Sequence, residues 1–570
     1  MKQLELSKRI SAWKQSPFDA ATQAAVKTLE KDPKAAEDAF YTDLAFGTGG
    51  MRGIMGVGTN RINPYTLGKA TQGLANYLNE VFPNTNIRVV IAYDCRNNSK
   101  RFAQKVAAIF SANNCEVHLF SDLRPTPELS FAVRKLQAHC GIVLTASHNP
   151  PAYNGYKVYW QDGGQIVPPH DQRIMNAIAA TSYEAIKFKA KSDLIHAIDR
   201  SVDEAFWATA LKAAAMPQKG KEKLKVVFTP IHGTAREGIP QVLERAGFTQ
   251  VYTVAQQMKA DGNFPTVQSP NPEEPEALQL ALDLAKEKNA DIVIGTDPDA
   301  DRLGIAVRDL NGELVVLNGN QTLTIFTYFL LKKWQLEKGF KGKEYIASTI
   351  VSSPIVQNMA AHFGVECVVT LTGFKWIAAE IAARSNDRFI CGGEESYGFM
   401  VGDQVRDKDA ITASLLACEI SQWCHNNNTT LYALLLECYQ QFGVYHERLI
   451  SKTKTGSDGK KAIAAQMEAM RAHPPLQFGK HKVIQIADYA KGEAYEPATN
   501  TTSPLALPKS NVLIYQLENG GQIALRPSGT EPKIKLYLST CTAYKKDSTW
   551  EAHFDMLNKE LDEFQNLLSL

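Results

Sequence analysis

Residues 141–150, Gly-Ile-Val-Leu-Thr-Ala-Ser-His-Asn-Pro, join a short apolar run to a polar loop. The apolar part, residues 141–144, is typical of a buried strand in a parallel sheet. Ser147 would then lie on a loop at the carboxyl end of that strand, where α/β folds bind their ligands. An ordinary turn containing Ser and Asn-Pro has the same composition, so both interpretations stay open for this stretch alone.

The composition describes a large globular protein with no strong charge. The chain has 570 residues, which is more than a single hydrophobic core accommodates, so we expect several domains. Apolar residues make up 44% and charged residues 21%, and the formal net charge is only +2. Because neither nucleic acid nor an anionic membrane is bound without a basic surface, we expect no partner of either kind.

The cellular location is predicted from two further features. The first residues lack the apolar core of a signal peptide, and the most apolar later stretch, residues 323–331, is too short to span a bilayer. The nine cysteines contain no C-x-x-C pair, and their odd number favours reduced thiols over a disulfide framework. These observations predict a soluble, cytoplasmic protein.

An internal repeat organises the first three quarters of the chain. Residues 89–120, 226–254 and 345–371 share a strand–turn–helix–strand pattern, which predicts α/β units with parallel strands. Each unit continues with another helix and a buried strand that opens into a polar loop. These loops are residues 145–150, 295–302 and 392–398. Since ligands bind at the carboxyl ends of parallel strands, the three loops are predicted to occupy equivalent places.

The last part of the chain has a different pattern. Four short apolar runs with short links, followed by a helix at about residues 550–567, predict a mostly antiparallel α+β domain. Residues 452–473 are polar and are predicted to lie mostly at the surface. The Gly, Pro, Ser and Thr-rich residues 492–508 are predicted to form a loop.

Three aspartates recur at every second position in the second loop: Asp297, Asp299 and Asp301. Carboxylates this close repel one another unless a cation binds them, and oxygen-only ligation favours Mg²⁺. An EF-hand is excluded because Arg302 and Arg308 occupy its sixth and twelfth positions. A phosphatase with Asp297 as nucleophile would usually have Thr or Val where Asp301 stands. A solvated acidic turn remains an alternative.

Two more loops have polar groups suited to sugar phosphates. Residues 526–533, Arg-Pro-Ser-Gly-Thr-Glu-Pro-Lys, lie between two predicted strands. The guanidinium fork of Arg526, two hydroxyls and a glycine-freed backbone suit a phosphate, although a polar hairpin is equally compatible. Residues 394–396, Glu-Glu-Ser between glycines, suit sugar hydroxyls, but a surface turn would have the same composition.

Two common enzyme motifs are not indicated. Residues 46–53 form a glycine-rich loop with Arg52, but they lack the Lys-Ser/Thr of a nucleotide-binding P-loop. Ser147 and His148 do not form a hydrolase dyad in our interpretation, because adjacent side chains of an extended segment point to opposite sides and no G-x-S-x-G motif is present. We expect His148 to be an electrostatic or hydrogen-bonding neighbour of Ser147.

In combination, these loops resemble the α-D-phosphohexomutases, the phosphoglucomutase/phosphomannomutase superfamily. The chain is most similar to the branch of long bacterial phosphoglucomutases and mammalian-type phosphopentomutases, and the match extends from residues 47–52 to residues 526–530. The resemblance implies three similar α/β domains with mixed sheets and a C-terminal α+β domain in a heart-shaped molecule with a central cleft. The four domains would be residues 1–205 with the phosphoserine loop, 206–321 with the metal loop, 322–445 with the sugar-binding loops and 446–570 with the phosphate-binding loop.

The resemblance also implies residue roles. Ser147 would carry a phosphoryl group, and Asp297, Asp299 and Asp301 would bind Mg²⁺ together with a phosphoserine oxygen. Groups near the reacting atoms would be Arg52, His148, Lys157 and Lys408. Arg302 would lie beside the metal loop. Sugar hydroxyls would be held by Glu394 and Ser396, helped by Thr372, Gly373 and Lys375, and the non-reacting phosphate by Arg526, Ser528, Gly529 and Thr530.

The implied activity is that of an isomerase that interconverts glucose 1-phosphate and glucose 6-phosphate through bound glucose 1,6-bisphosphate. The Glu-Glu-Ser pattern of residues 394–396 is similar to that of glucose-specific members, whereas mannose-tolerant members tend to have Met in the middle and phosphopentomutases often lack the Ser. Alternatives are a phosphopentomutase, a phosphomannomutase, a phosphatase and a regulatory module that binds Mg²⁺ and sugar phosphates. We expect a monomer or a small homo-oligomer.

Overall fold

The computed structural model describes residues 3–47, 49–453, 456–528 and 533–568. The chain divides into two units. The first unit consists of Met1–Leu317, Ala378–Ser385 and Gly398–Asn428, and the second of Asn318–Ile377, Asn386–Tyr397 and Thr429–Leu570.

Helices and strands alternate over most of the chain. The α-helices are α1 (Gln3–Ala12), α2 (Ala20–Leu29), α3 (Pro33–Phe40), α4 (Pro64–Val81), α5 (Ser99–Ala112), α6 (Thr126–Lys135), α7 (His170–Ala180), α8 (Arg200–Ala214), α9 (Ala235–Arg245), α10 (Ala255–Met258), α11 (Gln279–Lys288), α12 (Gly319–Glu337), α13 (Ile355–Phe363), α14 (Phe374–Ala383), α15 (Ala410–Asn426), α16 (Leu431–Phe442), α17 (Gly456–Ala472) and α18 (Trp550–Leu567). The strands are β1 (Gly50–Ile54), β2 (Arg88–Tyr93), β3 (Glu116–Phe120), β4 (Cys140–Leu144), β5 (Tyr153–Trp160), β6 (Ile195–Ile198), β7 (Lys225–Thr229), β8 (Gln250–Thr253), β9 (Ile292–Thr296), β10 (Leu303–Arg308), β11 (Leu314–Leu317), β12 (Glu344–Thr349), β13 (Glu366–Thr370), β14 (Arg388–Gly393), β15 (Phe399–Val401), β16 (Val444–Thr453), β17 (Gln477–Phe478), β18 (His481–Asp488), β19 (Glu493–Glu496), β20 (Thr501–Pro504), β21 (Leu513–Leu517), β22 (Gln522–Pro527) and β23 (Lys533–Thr542).

The first unit contains two mixed sheets. In the first sheet the order is β1-β5-β4-β2-β3-β6, with β4, β2, β3 and β6 parallel and with β5 antiparallel to both β4 and β1. In the second sheet the order is β11-β10-β9-β7-β8, with β9, β7 and β8 parallel and β10 antiparallel. All five residues of β4 and of β9 are buried, as expected for apolar strands covered on both faces.

The second unit begins with the third repeat, in which β12 lies between its parallel neighbours β13 and β14. The same arrangement, with the first strand of the repeat between the other two, occurs in β4-β2-β3 and β9-β7-β8. The predicted repeat is therefore confirmed. In every repeat the third strand, β4, β9 or β14, leads into one of the three polar loops.

The last sheet of the second unit is antiparallel, in the order β16-β23-β22-β21-β18-β19-β20. Helix α18 closes the chain at the predicted residues. Together with the mixed sheets of the three repeats, this sheet confirms the predicted fold class.

The tail follows one expectation and departs from the other. Most of the described residues between 452 and 473 are exposed or half-exposed, as predicted, although the segment also contains α17, which buries Ile463 and Met467 in the core of the last sheet. These two apolar positions, one turn apart, were too few to indicate a helix in a polar segment. The second expectation, a loop over residues 492–508, was wrong. Residues 492–508 contain the hairpin β19–β20, and all four residues of β20 are exposed. Such a strand has no apolar alternation from which it could be predicted.

No helix of the described residues is both long and apolar enough to cross a membrane. Residues 323–331, the most apolar stretch, lie within α12, most of whose residues are buried. All nine cysteines are free thiols.

Candidate active site

Ser147 lies in a tight loop, residues 145–153, that we call the serine loop. Its φ of 51° is left-handed, and its backbone N–H donates to Thr145 Oγ1 at 2.9 Å. The Oγ atom donates to Asp297 Oδ2 at 2.7 Å and lies 3.2 Å from His148 Nδ1. The expectation that Ser147 and His148 point apart was therefore wrong, because the left-handed turn replaces the extended backbone on which it rested. His148 is a hydrogen-bonding neighbour of Ser147, as predicted.

Residues 297–302, which we call the metal loop, turn three aspartates toward one point. Asp297, Asp299 and Asp301 are buried, and one carboxylate oxygen from each lies within 4.8 Å of the others. The loop is held by Asp297 Oδ1, which accepts the backbone N–H groups of Asp301 and Arg302, both at 3.1 Å. The predicted acidic cluster is thus a buried site and not a solvated turn.

The free oxygens of this cluster suit a cation. Asp299 Oδ1 and Asp301 Oδ1 are buried and have no hydrogen-bond partner among the residues that the structure describes. Burying a carboxylate oxygen without a hydrogen-bond donor is unfavourable unless a cation binds it. Because all the ligand atoms that the three aspartates offer are oxygens, the residues fit Mg²⁺. The three aspartates could therefore hold a metal ion.

Two lysines converge on the same carboxylates. Lys157 on β5 places its Nζ 2.7 Å from Asp299 Oδ2 and 3.1 Å from Asp301 Oδ2. Lys408 places its Nζ 3.3 Å from Asp301 Oδ2 and 3.1 Å from Asp407 Oδ1. Lys157 is brought to the metal loop because β5 runs antiparallel to β4 and returns along the serine loop. Both predicted lysines therefore lie at the site.

The balance between burial and charge sets the protonation of the cluster. Burial raises the pKa of Asp297 well above its usual range, and the charges of Asp299 and Asp301 act in the same direction. Burial opposes ionisation of Asp301 too, but Lys157 and Lys408 outweigh it and hold the pKa of Asp301 below its usual range. Burial alone would lower the pKa of Lys157, yet the two carboxylates raise it. The site thus keeps Lys157 charged.

Two arginines border the site. Arg52 on β1 donates from Nη1 to Asn149 Oδ1 of the serine loop at 2.6 Å. Burial lowers the pKa of Arg52, and Asp299 partly opposes this shift. Arg302 forms an ion pair with Glu273, and its Nε lies 3.9 Å from Asp301 Oδ1. Arg52 thus contacts the serine loop, and Arg302 is the last residue of the metal loop.

Several residues at this site had no role assigned from the sequence. Tyr159 on β5 donates to Asp407 Oδ2 at 2.6 Å, and Asp407 in turn binds Lys408. Thr126, at the start of α6, donates from Oγ1 to Asp299 Oδ2 at 3.0 Å. These residues come from segments that are distant along the chain, so no local motif identifies them.

The sugar-binding residues predicted in the third repeat lie in the second unit. Glu394 is buried and accepts from the backbone N–H of Gly373 at 2.6 Å. The neighbouring Glu395 accepts from Ser352 Oγ at 3.0 Å. Thr372 Oγ1 is buried without a hydrogen-bond partner among the described residues. The structure therefore brings the loops of residues 371–376 and 392–398 together, as their place in the repeat predicts.

The remaining predicted residues of the second unit are spread over three short segments. Lys375 lies with its Nζ 4.9 Å from the ring of Trp376, and Ser396 follows Glu395 in a half-exposed turn. Arg526 is the last residue but one of β22, and the backbone N–H of Ser528 donates to Lys533 O at 2.7 Å. Gly529 and Thr530 lie outside the described residues.

Tyr537 on β23 connects the sugar-binding and phosphate-binding segments of this unit. Burial raises the pKa of its hydroxyl, and the charge of Glu395 acts in the same direction. The charge of Arg526 opposes the shift. The loop with Glu395 and the strand with Arg526 therefore share an electrostatic environment.

Comparison with known proteins gives the family. Models of the phosphoglucomutase/phosphomannomutase α/β/α domains I, II and III match residues 43–185, 204–312 and 318–442. A phosphoglucomutase of Staphylococcus epidermidis is 37% identical over 556 residues, covering 96% of this chain and 98% of the relative. A phosphoglucomutase of Staphylococcus aureus strain USA300 is 40% identical over 508 residues, covering 88% and 90%.

Solved structures share the fold at low sequence identity. The open form of a Paramecium phosphoprotein, pp63/parafusin (phosphoglucomutase), matches with a TM-score of 0.67 at 18% identity and covers 93% of this chain and 95% of its own. A phosphoglucomutase/phosphomannomutase family protein from Burkholderia thailandensis matches with a TM-score of 0.66 at 18% identity, covering 92% and 97%. With three domain models in order and relatives matched over nearly their whole length, this chain belongs to the phosphoglucomutase/phosphomannomutase family of phosphohexomutases.

Proposed function

We propose that this protein interconverts α-D-glucose 1-phosphate and glucose 6-phosphate, with Ser147 as the phosphoryl carrier and glucose 1,6-bisphosphate as the bound intermediate. The observation that carries the proposal is the 2.7 Å hydrogen bond from Ser147 Oγ to Asp297 Oδ2 within a cluster of three aspartates. A protein that only bound sugar phosphates would not need a hydroxyl beside such a cluster. The relatives named phosphoglucomutase at 37–40% identity support the glucose assignment.

The chain's own residues can perform the transfer. The phosphoryl group would leave Ser147 Oγ for the free hydroxyl of the substrate, and the second phosphate would later return to Ser147 Oγ. Asp297, Asp299 and Asp301, with an oxygen of the phosphoserine, would hold Mg²⁺, which when bound withdraws charge from the phosphoryl group. Lys157 would add positive charge near the transferred group, since phosphoryl transfer depends mainly on positioning and charge stabilisation.

Other residues of the two units would supply positive charge or bind the substrate. Near the reacting oxygens, Lys408 and Arg52 would supply further positive charge, and His148 would support Ser147 through its hydrogen bond. Glu394 and Ser396 would bind sugar hydroxyls. Thr372, Gly373 and Lys375 of the second unit would also contact the sugar. The non-reacting phosphate would be bound by residues of the same unit, namely Arg526, Ser528, Gly529 and Thr530. Arg302 would support the metal loop through its bond to Asp297.

The first experiment tests the carrier. Ser147→Ala should have mutase activity near background and should show no phosphorylated form by intact-mass measurement after incubation with glucose 1,6-bisphosphate. Ser414→Ala is the matched control, because Ser414 is also buried in the first unit, and among the described residues its hydroxyl bonds only to Ala410 O of its own helix. Mutase turnover retained in Ser147→Ala would refute the scheme.

The second experiment tests the substrate. Glucose 1-phosphate, mannose 1-phosphate and ribose 1-phosphate are compared by kcat/KM with and without glucose 1,6-bisphosphate, and we expect glucose 1-phosphate to be preferred. A higher kcat/KM for ribose or mannose 1-phosphate would identify a phosphopentomutase or phosphomannomutase instead. An acid-labile acyl phosphate, in place of an acid-stable phosphoserine, would indicate a phosphatase with Asp297 as nucleophile.

The cellular setting is part of the proposal. Nine free thiols favour a reducing compartment, which supports a cytoplasmic location. The proposed partners are small sugar phosphates, and the proposed assembly is a monomer or a small homo-oligomer. Cell fractionation and analytical ultracentrifugation test these two points.

A further inference from the structure

We infer that Arg96 is a positioning residue for phosphoryl transfer: its guanidinium fixes the backbone of the serine loop so that Ser147 Oγ meets the metal loop. This inference rests on the proposed function. Arg96 lies in the loop after β2, at the same sheet edge as Ser147, and its side chain has no exposed surface. It therefore acts through the serine loop and not by contact with a substrate.

The guanidinium binds four backbone carbonyls of the serine loop. Nη2 donates to Ser147 O at 2.6 Å and to Asn149 O. Nη1 donates to Pro150 O at 2.9 Å and to Tyr153 O at 3.1 Å. These carbonyls extend from the proposed phosphoryl carrier to the first residue of β5, so one side chain spans nearly the whole loop.

The chemistry of the contact selects arginine. Buried carbonyls need donors, and the one guanidinium supplies a donor to each of four carbonyls of this loop. A guanidinium presents five N–H groups in a rigid planar fork, whereas a lysine ammonium is a point charge on a flexible stem. Ser147 is held in a left-handed conformation, which is unfavourable for a residue with a side chain. The carbonyl contacts of Arg96 compensate for this strain.

The other side of Arg96 faces Asp94 of its own repeat and two residues of the repeat that carries the metal loop. Asp94 Oδ2 lies 3.3 Å from Arg96 Nε and balances its charge. The ring of Phe264 lies 5.1 Å from the guanidinium. Beside it, a Cβ on Gly262 would lie 2.3 Å from the backbone N of Asn97, so only glycine allows this close approach. Arg96 is therefore packed between the serine loop and the second repeat.

This placement connects two loops whose relative position matters for the reaction. The serine loop comes from the first repeat and Asp297 from the second, and their oxygens lie 2.7 Å apart. Arg96 contacts the first loop by four hydrogen bonds and the second repeat by Phe264. Loss of the Arg96 guanidinium should displace Ser147 Oγ without altering the residues proposed to bind the sugar or its non-reacting phosphate.

The test compares Arg96→Met and Arg96→Lys with the matched control Arg308→Met. Arg308 also binds two backbone carbonyls, Ala290 O and Gly312 O, but at the far end of β10. For both Arg96 variants we expect kcat to fall by roughly 100-fold, the effect typical of a displacement of about 1 Å at a reacting group. The KM for glucose 1-phosphate should change by less than about threefold, because uniform substrate binding is retained.

A second readout separates positioning from general stability. Transfer of phosphate from glucose 1,6-bisphosphate to Ser147, followed by intact mass, should slow in parallel with kcat while circular dichroism and the melting profile of the variant remain those of a folded protein. Guanidinium ion at low millimolar concentration should partly restore kcat of Arg96→Ala and leave Arg308→Ala unchanged. If the Arg96 variants do not fold, Phe264→Leu, which keeps the fork but removes its ring contact, should lower kcat with the same unchanged KM.

Three results would overturn the inference. The first is wild-type kcat in Arg96→Met or, where the Arg96 variants do not fold, in Phe264→Leu. The second is full activity in Arg96→Lys, which would show that charge alone suffices. The third is a rise in KM with unchanged kcat, which would place Arg96 in substrate binding. Absence of mutase activity in the wild-type protein would instead refute the proposed function, so the two failures are distinguishable.

Discussion

Lys157 Nζ forms ion pairs with two members of the aspartate cluster, 2.7 Å from Asp299 Oδ2 and 3.1 Å from Asp301 Oδ2. Lys157 lies on β5 of the first sheet, whereas both aspartates follow β9 of the second sheet. The first unit therefore joins its two sheets through charged groups at the proposed reaction centre.

Removal of one metal-loop carboxylate should weaken metal binding. Asp301→Asn removes the negative charge of a side chain whose Oδ1 has no hydrogen-bond partner among the described residues. We therefore expect the Kd for Mg²⁺, measured by isothermal titration calorimetry, to rise by at least about 10-fold. Asp283→Asn, at an exposed position of α11, is the control and should bind Mg²⁺ like the wild type. Unchanged Mg²⁺ binding in Asp301→Asn would exclude the aspartate cluster as the metal site.

Loss of the Glu394 carboxylate should weaken productive substrate binding. Glu394→Ala removes the proposed acceptor for sugar hydroxyls and frees the N–H of Gly373 that it now binds. We expect kcat/KM for glucose 1-phosphate to fall by roughly 10- to 100-fold, as for a lost charge-assisted hydrogen bond. Glu337→Ala, at the exposed end of α12, should have wild-type kinetics. Equal kcat/KM in both variants would remove Glu394 from the site.

The hydroxyl of Tyr159 should matter for both stability and activity. Tyr159→Phe removes the donor to Asp407 Oδ2, and a buried carboxylate oxygen left without its donor costs about 1–3 kcal/mol. Tyr156→Phe is a matched control on the same strand, because in the part of the chain that the structure describes its buried hydroxyl bonds only with Thr71 Oγ1, at 3.3 Å. Thermal unfolding should show the larger destabilisation for Tyr159→Phe. Its kcat should also fall, since Asp407 holds Lys408; a larger loss in Tyr156→Phe would contradict this.

Glu447 should make the stability of the second unit depend on pH. Burial raises the pKa of its carboxyl from 4.5 to about 7, and the Ser353 side chain opposes the shift only partly. The folded state therefore keeps a proton that the unfolded chain releases, so stability falls as pH rises from about 4.5 to about 7 and is level above. The loss amounts to at most about 3 kcal/mol.

Calorimetric unfolding at pH 5 and pH 7.5 measures this effect. Glu447→Gln cannot ionise and should be more stable relative to the wild type at pH 7.5 than at pH 5. The exposed Glu468→Gln serves as control and should show no such difference. An equal pH dependence of the wild type and Glu447→Gln would contradict the assignment.

Much of the fold was predictable because its signals are local. The buried strands β4 and β9 are continuous apolar runs, and the helix α18 has a clear amphipathic period, so all were predicted near their observed bounds. Helix α17 and strand β20 were not, because their residues are mostly polar or exposed and contact the rest of the sheet at few positions. The pattern of apolar residues along the sequence does not predict an element that buries few of its side chains.

The candidate site divides in the same way. The sequence by itself determined the residue types of the loops, Ser147 and the three aspartates above all, because these side chains belong to short continuous segments of the chain. Only the tertiary structure decided that Tyr159 would meet Asp407, that Thr126 would meet Asp299 and that Arg96 would bind the carbonyls of the serine loop. These contacts join residues far apart along the chain, and sheet order and loop conformation, which no local pattern encodes, bring them together.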